Sequence, residues 1–478
     1  MIYLPIAVFW GLALWALFSA RPALLYLFFA AMPFGSFAVL PTALTGGLTF
    51  TALPVVTLLL ILRTFARRDG PGVALGMALR LNRLLLLFLF GIVAVIVTLF
   101  MPRVFAGMIQ IVPIRGDLDQ VAPLAPSPQN LSQLFYLVIA VASVFAFARL
   151  LQSEWVRQQA FQAMCLGGFL TVLTGLLDFA SSYVPITPLL ALFRTASYAL
   201  ITDLEVFGSK RVTGLMPEAS AYGGVCIAFL CGLYFYRRAM TSARFRDVYV
   251  PVVLALLLLC IWLSKSSGAY IGLVLFFVVA AVEWAMRSHA RGSDYRRGLA
   301  GELGIVICFV IAASLVLLLK PDLLEPVYQL LDRMVFQKGD SDSYQQRGMW
   351  RDVALGSVLQ SYGLGIGLGS ARTSSSIVAV LSGTGIPGAF LFYAFLVQSL
   401  LRGNGAATQE VRLIHSAFRF SFIPGFIVGG MVGDADFGGM MAFGFGLVAA
   451  LSIRSSRKQM AGRLVDLLPV TDINGVRV

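Results

Sequence analysis

The chain has 478 residues, 59% of them hydrophobic and 12% charged, and its mean hydropathy is +0.86. A soluble domain carries about twice that charged fraction, which excludes a soluble fold. The formal net charge of +13 would point to nucleic acid in a soluble protein. Here, short basic loops on one side of a membrane account for it.

Many apolar runs reach the length of about 20 residues that spans hydrocarbon. The alternating segments of about 10 residues that mark a membrane β-barrel are absent. The fold class read from the sequence is therefore all-α, a polytopic membrane protein. About thirteen spans are predicted, near residues 3–20, 22–40, 48–62, 84–101, 132–148, 161–178, 218–236, 248–264, 268–286, 303–319, 376–400, 414–432 and 437–453. The opening Met1-Ile2-Tyr3-Leu4-Pro5 lacks the basic region of a cleavable signal peptide, so the first span is expected to remain.

Arginine sets the orientation. Arg63, Arg67, Arg68, Arg80 and Arg83 share one short loop, and Arg149 and Arg157 a second. Arg237, Arg238, Arg244 and Arg246 share a third, and Arg287, Arg291, Arg296 and Arg297 a fourth. Arg402 and Arg412 lie in another, and Arg454, Arg457, Lys458 and Arg463 in the tail. With thirteen spans all of these fall on one face, which should be cytoplasmic, with the N-terminus outside. Residues 1–453 then form one transmembrane helical domain, and 454–478 a basic, poorly ordered cytoplasmic tail.

Three longer polar stretches, 102–131, 179–217 and 321–372, are predicted on the outer face, and no internal repeat is visible. Two short outer turns join later spans, Ser264-Lys265-Ser266-Ser267-Gly268 and Gly433-Asp434-Ala435-Asp436.

Arginines on an outer face run against the charge bias and need a reason. Arg347 and Arg351 stand four apart, so a helix would put them on one face, where guanidinium forks suit phosphate or carboxylate. Trp350 lies between them. Gly363, Gly365, Gly367 and Gly369 follow, and their backbone could approach a ligand and offer amides to an anion. The alternative is a surface helix with a solvated basic face. No Gly-Lys-Ser/Thr follows, so this is not a phosphate-binding loop of the nucleotidase type.

A second cluster is Lys210-Arg211-Val212-Thr213-Gly214-Leu215-Met216-Pro217-Glu218-Ala219-Ser220. Helix capping alone would place Pro217 and Glu218 there. A carboxylate beside an arginine at a membrane edge is also a costly and usually functional arrangement. Either Arg211 pairs with Glu218, or Arg211 binds phosphate while Glu218 takes a proton. Lys265 either snorkels to headgroups or serves the same site. Asp434 and Asp436 make a poor metal site without a third ligand. The five cysteines, Cys165, Cys226, Cys231, Cys260 and Cys308, lie in apolar segments and read as small hydrophobes. The only histidines, His289 and His415, fall on the cytoplasmic side, so no outer histidine is available for catalysis.

Over roughly residues 130–450 the chain resembles the O-antigen ligase and polymerase superfamily of bacterial envelope polysaccharide assembly. The resemblance is carried by Arg211-Val212-Thr213-Gly214 with Pro217-Glu218-Ala219-Ser220-Ala221, by Ser264-Lys265-Ser266-Ser267-Gly268-Ala269, and by Arg347-Gly348-Met349-Trp350 followed by Gly363-Leu364-Gly365-Ile366-Gly367. The first of these is similar to the Gly-x-x-x-Glu-x-Ser stretch of exopolysaccharide repeat-unit polymerases. The resemblance implies an inner-membrane glycosyltransferase. A sugar hydroxyl would attack a polyprenyl-diphosphate-linked oligosaccharide, with no metal or other cofactor. Its partners would be that donor, the growing glycan, the bilayer, and a chain-length regulator or flippase. The resemblance implies catalytic roles for Arg211 and Glu218. It implies diphosphate binding by Arg347 and Arg351, with Arg211, and the neighbouring Trp350, Lys265, Gly365 and Gly367 are candidate substrate-binding residues beside them. Ligases of the superfamily carry a histidine in the long outer loop, and its absence here favours a polymerase. The alternatives are a ligase-type transferase, a lipid-linked oligosaccharide transporter, and a scaffold of an envelope assembly. Transporters place ionisable residues near the midplane, whereas these spans are nearly charge-free.

Overall fold

The structure is a computed structural model. It describes residues 3–41, 49–66, 68–116, 119–197, 200–202, 204–206, 209–289, 298–299, 301–304, 342–402, 408–431 and 433–466. Most of the predicted span at 303–319, the first part of the 321–372 stretch, Cys308 and most of the Arg287–Arg297 loop lie outside the described residues.

The described helices, in chain order, are α1 (Tyr3–Phe18), α2 (Ala23–Ala31), α3 (Ala52–Phe65), α4 (Gly70–Ala78), α5 (Leu85–Val104), α6 (Pro128–Leu150), α7 (Glu154–Ala180) and α8 (Thr187–Ala191). They continue as α9 (Ala219–Tyr236), α10 (Val250–Ser264), α11 (Ser267–His289), α12 (Asp342–Gln360), α13 (Ser376–Leu401), α14 (Gln409–Gly430) and α15 (Gly438–Asp466). Two small antiparallel pairings, β1 (Gln110–Ile111) with β2 (Ala122–Pro123) and β3 (Glu205–Val206) with β4 (Ser209–Lys210), lie in loops. Among the described residues, eight helices are long and apolar enough to cross a membrane. They are α5, α6, α7, α9, α10 with the π turn Phe245–Tyr249 that opens it, α11, α13 and α14. The fold is therefore that of an all-α multi-pass membrane protein. Shorter apolar helices occur at Tyr3–Phe18, Ala52–Phe65 and Gly438–Ile453.

Two expectations are corrected. The segment 22–40 does not form a full span. Its helix ends after nine residues, about 14 Å of rise against about 30 Å of hydrocarbon. Pro33 and Gly35 follow, and the backbone of Ser36 then leaves the helical pattern. Its N–H donates to Leu215 O at 2.9 Å, and its carbonyl accepts from Thr195 and Ala196 at 3.0 Å each. The tail differs too. α15 continues as helix through residues 454–466, a stretch rich in good helix formers. Residues 467–478 lie outside the described set.

Hydrogen bonds sort the loops onto two faces. On the basic face, Arg63 Nη1 donates to Ala16 O at 2.8 Å, and Arg149 pairs with Asp69 at 2.8 Å. Gln398 reaches Leu81 O at 2.6 Å. Arg157, fully buried, grips Glu410 with both ends of its fork and also donates to the carbonyls of Leu151 and Gln152. On the opposite face, Asn130 Nδ2 donates to Leu368 O at 2.7 Å, Val212 N–H to Leu263 O at 3.1 Å, and Thr373 Oγ1 to Gly433 O at 2.6 Å. The turns after α7, α10 and α14 and the segment before α13 thus meet on this second face, the loop face.

The core between the faces is aromatic. Phe147, Phe161 and Phe443 are fully buried and meet edge to face. Helices close in where side chains vanish. A Cβ at Gly446 would meet Phe147 Cβ at 2.3 Å, so α15 and α6 approach there as only glycine permits.

Candidate functional site

A cavity of about 1010 Å³ opens at the loop face and runs inward along α9, from Glu218 to Tyr236. Its mouth is polar, with Arg211, Glu218, Arg347 and Trp350 in its wall. Its depth is apolar, with Val225, Phe229, Phe422 and Met440 in its wall. Three segments far apart in sequence supply the mouth.

The first segment is held from beneath by Asp178, at the end of α7. Asp178 has no exposed side-chain surface. Its Oδ2 accepts the N–H groups of Thr213 at 2.7 Å and Gly214 at 3.0 Å and the Thr213 hydroxyl at 3.1 Å. Its Oδ1 accepts from Arg194 at 2.8 Å and Lys210 at 3.0 Å. Alternation along an extended strand then turns Arg211 away from Asp178, and Arg211 enters the cavity wall. Sequence reading missed Asp178 because it closes an apolar span. A lone acid at a span end, facing a loop with Arg194 and Lys210, was the available signal.

Arg211 Nε donates to Ser264 O at 3.4 Å. Burial lowers the Arg211 pKa, while Glu218 and Tyr270 act to raise it. No Arg211–Glu218 ion pair forms among the described residues, and both side chains line the cavity. Glu218 is not in the first turn of the helix. It occupies the position just before α9 in extended conformation, and its side chain caps no backbone amide. Instead Ser220 Oγ donates to its Oε1.

Lys265 ends α10 with φ +44°, one of two non-glycine residues with positive φ among the described residues. A side chain in the left-handed region costs about 1–2 kcal/mol. Burial lowers the Lys265 pKa, and Arg211 nearby lowers it further. Lys265 stands behind the cavity wall beside Arg211, while Ser266, Ser267 and Gly268 of the same turn line the cavity.

α12 brings Arg347 and Trp350. At about 100° per residue, Arg347, Trp350 and Ala354 form one stripe, and Arg351 lies on its edge, about 70° round from its centre. Arg351 is accordingly outside the cavity wall. It is 53% exposed and pairs with its neighbour Asp352 at 2.8 Å. Arg347 and Arg351 do lie one turn apart on a helix, but only Arg347 lines the cavity. The Trp350 ring instead carries the Arg372 guanidinium, 5.0 Å from its centroid. Arg372 also donates to the carbonyls of Pro113 and Ile114, tying the 105–127 loop to α12. Arg372 escaped the sequence reading because it closes the glycine run.

The glycine series has a packing role. Gly363, Gly365, Gly367 and Gly369 all have positive φ, between 75° and 86°. A Cβ at Gly365 would meet Gly385 N at 2.5 Å, and one at Gly367 would meet Pro102 Cγ at 2.7 Å. Several amides of the run that could hold an anion are used within the protein. Gly365 N–H donates to Ser361 Oγ, Ile366 N–H to Ser382 O, and Leu368 N–H to Thr98 Oγ1. Gly365 and Gly367 therefore seat the loop on α5 and on a break in α13 at Gly385.

The turn before α15 completes the wall with Asp434 and Asp436. Burial raises both above the usual carboxylate range, Asp436 to about 6. Among the described residues no three His, Cys, Asp or Glu gather around one point.

No family model matches the chain, and no curated protein matches it either.

Proposed function

We propose that the protein is a membrane glycosyltransferase that polymerises polyprenyl-diphosphate-linked oligosaccharide repeat units on the extracytoplasmic side of a bacterial inner membrane. The observation that carries the reading is the shape and lining of the cavity. Arg211 and Arg347 reach a polar mouth from separate segments, and the same space continues as an apolar channel along α9. A lipid-linked diphosphate sugar has the matching division, with an anionic head on a long apolar tail.

In this reading Arg211 and Arg347 hold the diphosphate, and their fixed charge gains most as the leaving group develops its own. Trp350, braced by Arg372, offers an apolar ring face to a sugar. Lys265 adds positive potential behind Arg211. The acceptor hydroxyl gives its proton to a carboxylate of the cavity, and Glu218 is the one the family resemblance offers. The loop face is extracytoplasmic, since the opposite face carries the short basic loops.

A transporter would need charges within the spans. Here the ionisable groups of the cavity sit at its mouth. A polymerase rather than a ligase is tested by glycan analysis in a deletion strain. Single repeat units should remain on lipid while long chains vanish. Long polymer accumulating on polyprenyl diphosphate would make the protein a ligase.

A further inference from the structure

The cavity holds a second set of ionisable groups that diphosphate binding does not use. Asp434 and Asp436 line the main cavity and also a smaller compartment of about 30 Å³ behind it, with Gln133, Thr373 and Ser382. A polar space of that size admits one or two waters. Both carboxylates are exposed along the open cavity wall, and the protein packed around the turn still pushes them up by desolvation.

The turn is held in place. Asp436 Oδ1 accepts the Gly438 N–H at 2.9 Å, and Thr373 Oγ1 clamps Gly433 O at 2.6 Å. The titratable groups facing Asp436 are Asp434 on its own turn and Tyr136 of α6, whose hydroxyl donates to Thr49 O at 2.7 Å. The side chains that meet it from the 367–373 segment and from α13, Thr373 and Ser382, are uncharged. Neither Arg211 nor Arg347 is among the charges acting on Asp434 or Asp436. The acids enter the wall from the turn before α15, and the arginines enter it from the 209–220 segment and from α12.

That separation matters for displacement at a sugar carbon. The attacking hydroxyl approaches the anomeric carbon from the side away from the leaving diphosphate. A carboxylate beside Arg211 shares the diphosphate's side and is repelled by its charge. A carboxylate out of the arginines' reach faces the attacking side.

We propose that Asp436, with Asp434 beside it, is the general base for the acceptor hydroxyl, and that Glu218 serves to balance the charge of Arg211. This inference rests on the diphosphate-sugar reading. In the step, the acceptor O–H bond breaks and its proton goes to the Asp436 carboxylate. The oxygen's electron pair forms the new bond to the anomeric carbon. The bond from that carbon to the phosphate oxygen breaks, and its pair leaves with the polyprenyl diphosphate beside Arg211 and Arg347. The small compartment beside Asp436 is polar and large enough for a water that could take the proton on. A base that ionises near pH 6 suits proton transfer near neutrality.

The test is the pH dependence of polymerisation by the purified full chain acting on lipid-linked repeat units. Activity of the unaltered protein should fall as pH drops through about 6, because protonated Asp436 cannot accept the proton. Asp436→Asn should lower kcat by about 100-fold or more, remove that acidic limb, and leave the KM for donor unchanged. It should fold, since Asn preserves the turn and removes a charge that burial disfavours. Asp436→Glu retains a carboxylate and should restore the acidic limb at reduced kcat. Glu218→Gln should keep the limb. An Asp436→Asn protein with unaltered kcat and limb overturns the inference, as does a limb lost in Glu218→Gln. If Arg211→Ala and Arg347→Ala abolish polymer while Asp436→Asn does not, only this inference falls. If all three leave polymer normal, the reading beneath it falls.

Discussion

Asp178→Asn is the sharpest test of how Arg211 is placed. The carboxylate receives five donors, two cationic and three neutral. Asparagine keeps the size but brings only one acceptor oxygen, and its NH2 group must face donors. Arg194, only 9% exposed, then loses its carboxylate partner, and Lys210 loses one of its partners. Removing one partner of a buried ion pair costs about 3–5 kcal/mol. At about 1.4 kcal/mol per tenfold, the segment 209–214 should open on the order of a hundred to several thousand times more often.

The amides of Thr213 and Gly214 report that opening directly, because each donates to Asp178 Oδ2. Hydrogen exchange of the purified protein should show protection lost at these amides. Protection in α6 and α15 should be retained. Polymer formation should fall with it, since Arg211 no longer has a fixed position. Native exchange at Thr213 and Gly214 in Asp178→Asn would refute the view that this acid sets the mouth of the cavity.

Other predictions concern the glycine run, the second arginine and the sidedness. Gly365→Ala places a Cβ 2.5 Å from Gly385 N at φ +84°, so it should cost about 1–3 kcal/mol of stability from overpacking alone, read as a lower melting temperature. Arg351→Ala should leave both the melting temperature and polymerisation unchanged, and a large loss of polymer would return Arg351 to the site. In a cysteine-free variant, Tyr362→Cys, at an 87% exposed residue on the loop face, should react with an impermeant thiol reagent in intact cells. Trp155→Cys, at a 56% exposed residue on the basic face, should react only after permeabilisation, and the reverse pattern would invert the orientation.

The apolar helices were legible because span length and charge depletion are properties of consecutive residues. The sorting of basic loops onto one face followed from arginine alone, and the bonds joining Arg63 to Ala16 and Arg157 to Glu410 agree with it. The break in the second span was not legible. Pro33 and Gly35 are tolerated in membrane helices, and the partners of Ser36 lie some 160–180 residues away. Arg211, Glu218, Arg347 and Trp350 were picked out by charge against the bias and by motif, and the structure brings these four together. The role of the glycines was misread, because spacing cannot tell a backbone that approaches a ligand from one that approaches Gly385 or Pro102. Asp178 and Asp436 were undervalued for a related reason. Each is an ordinary acid at the end of a helix until tertiary contacts gather donors or a cavity around it.

The most direct measurement is polymerisation of purified lipid-linked repeat units in vitro, with expression and monodispersity checked for each variant. Removing one preorganised electrostatic contact costs about 3–4 kcal/mol of barrier. Arg347→Ala and Arg211→Ala should therefore each lower the rate by on the order of a hundredfold or more. Arg347→Lys should recover little, because the charge remains but the planar fork is lost. Normal polymer from both alanine variants at normal expression would contradict the account, leaving the arginines as a solvated rim.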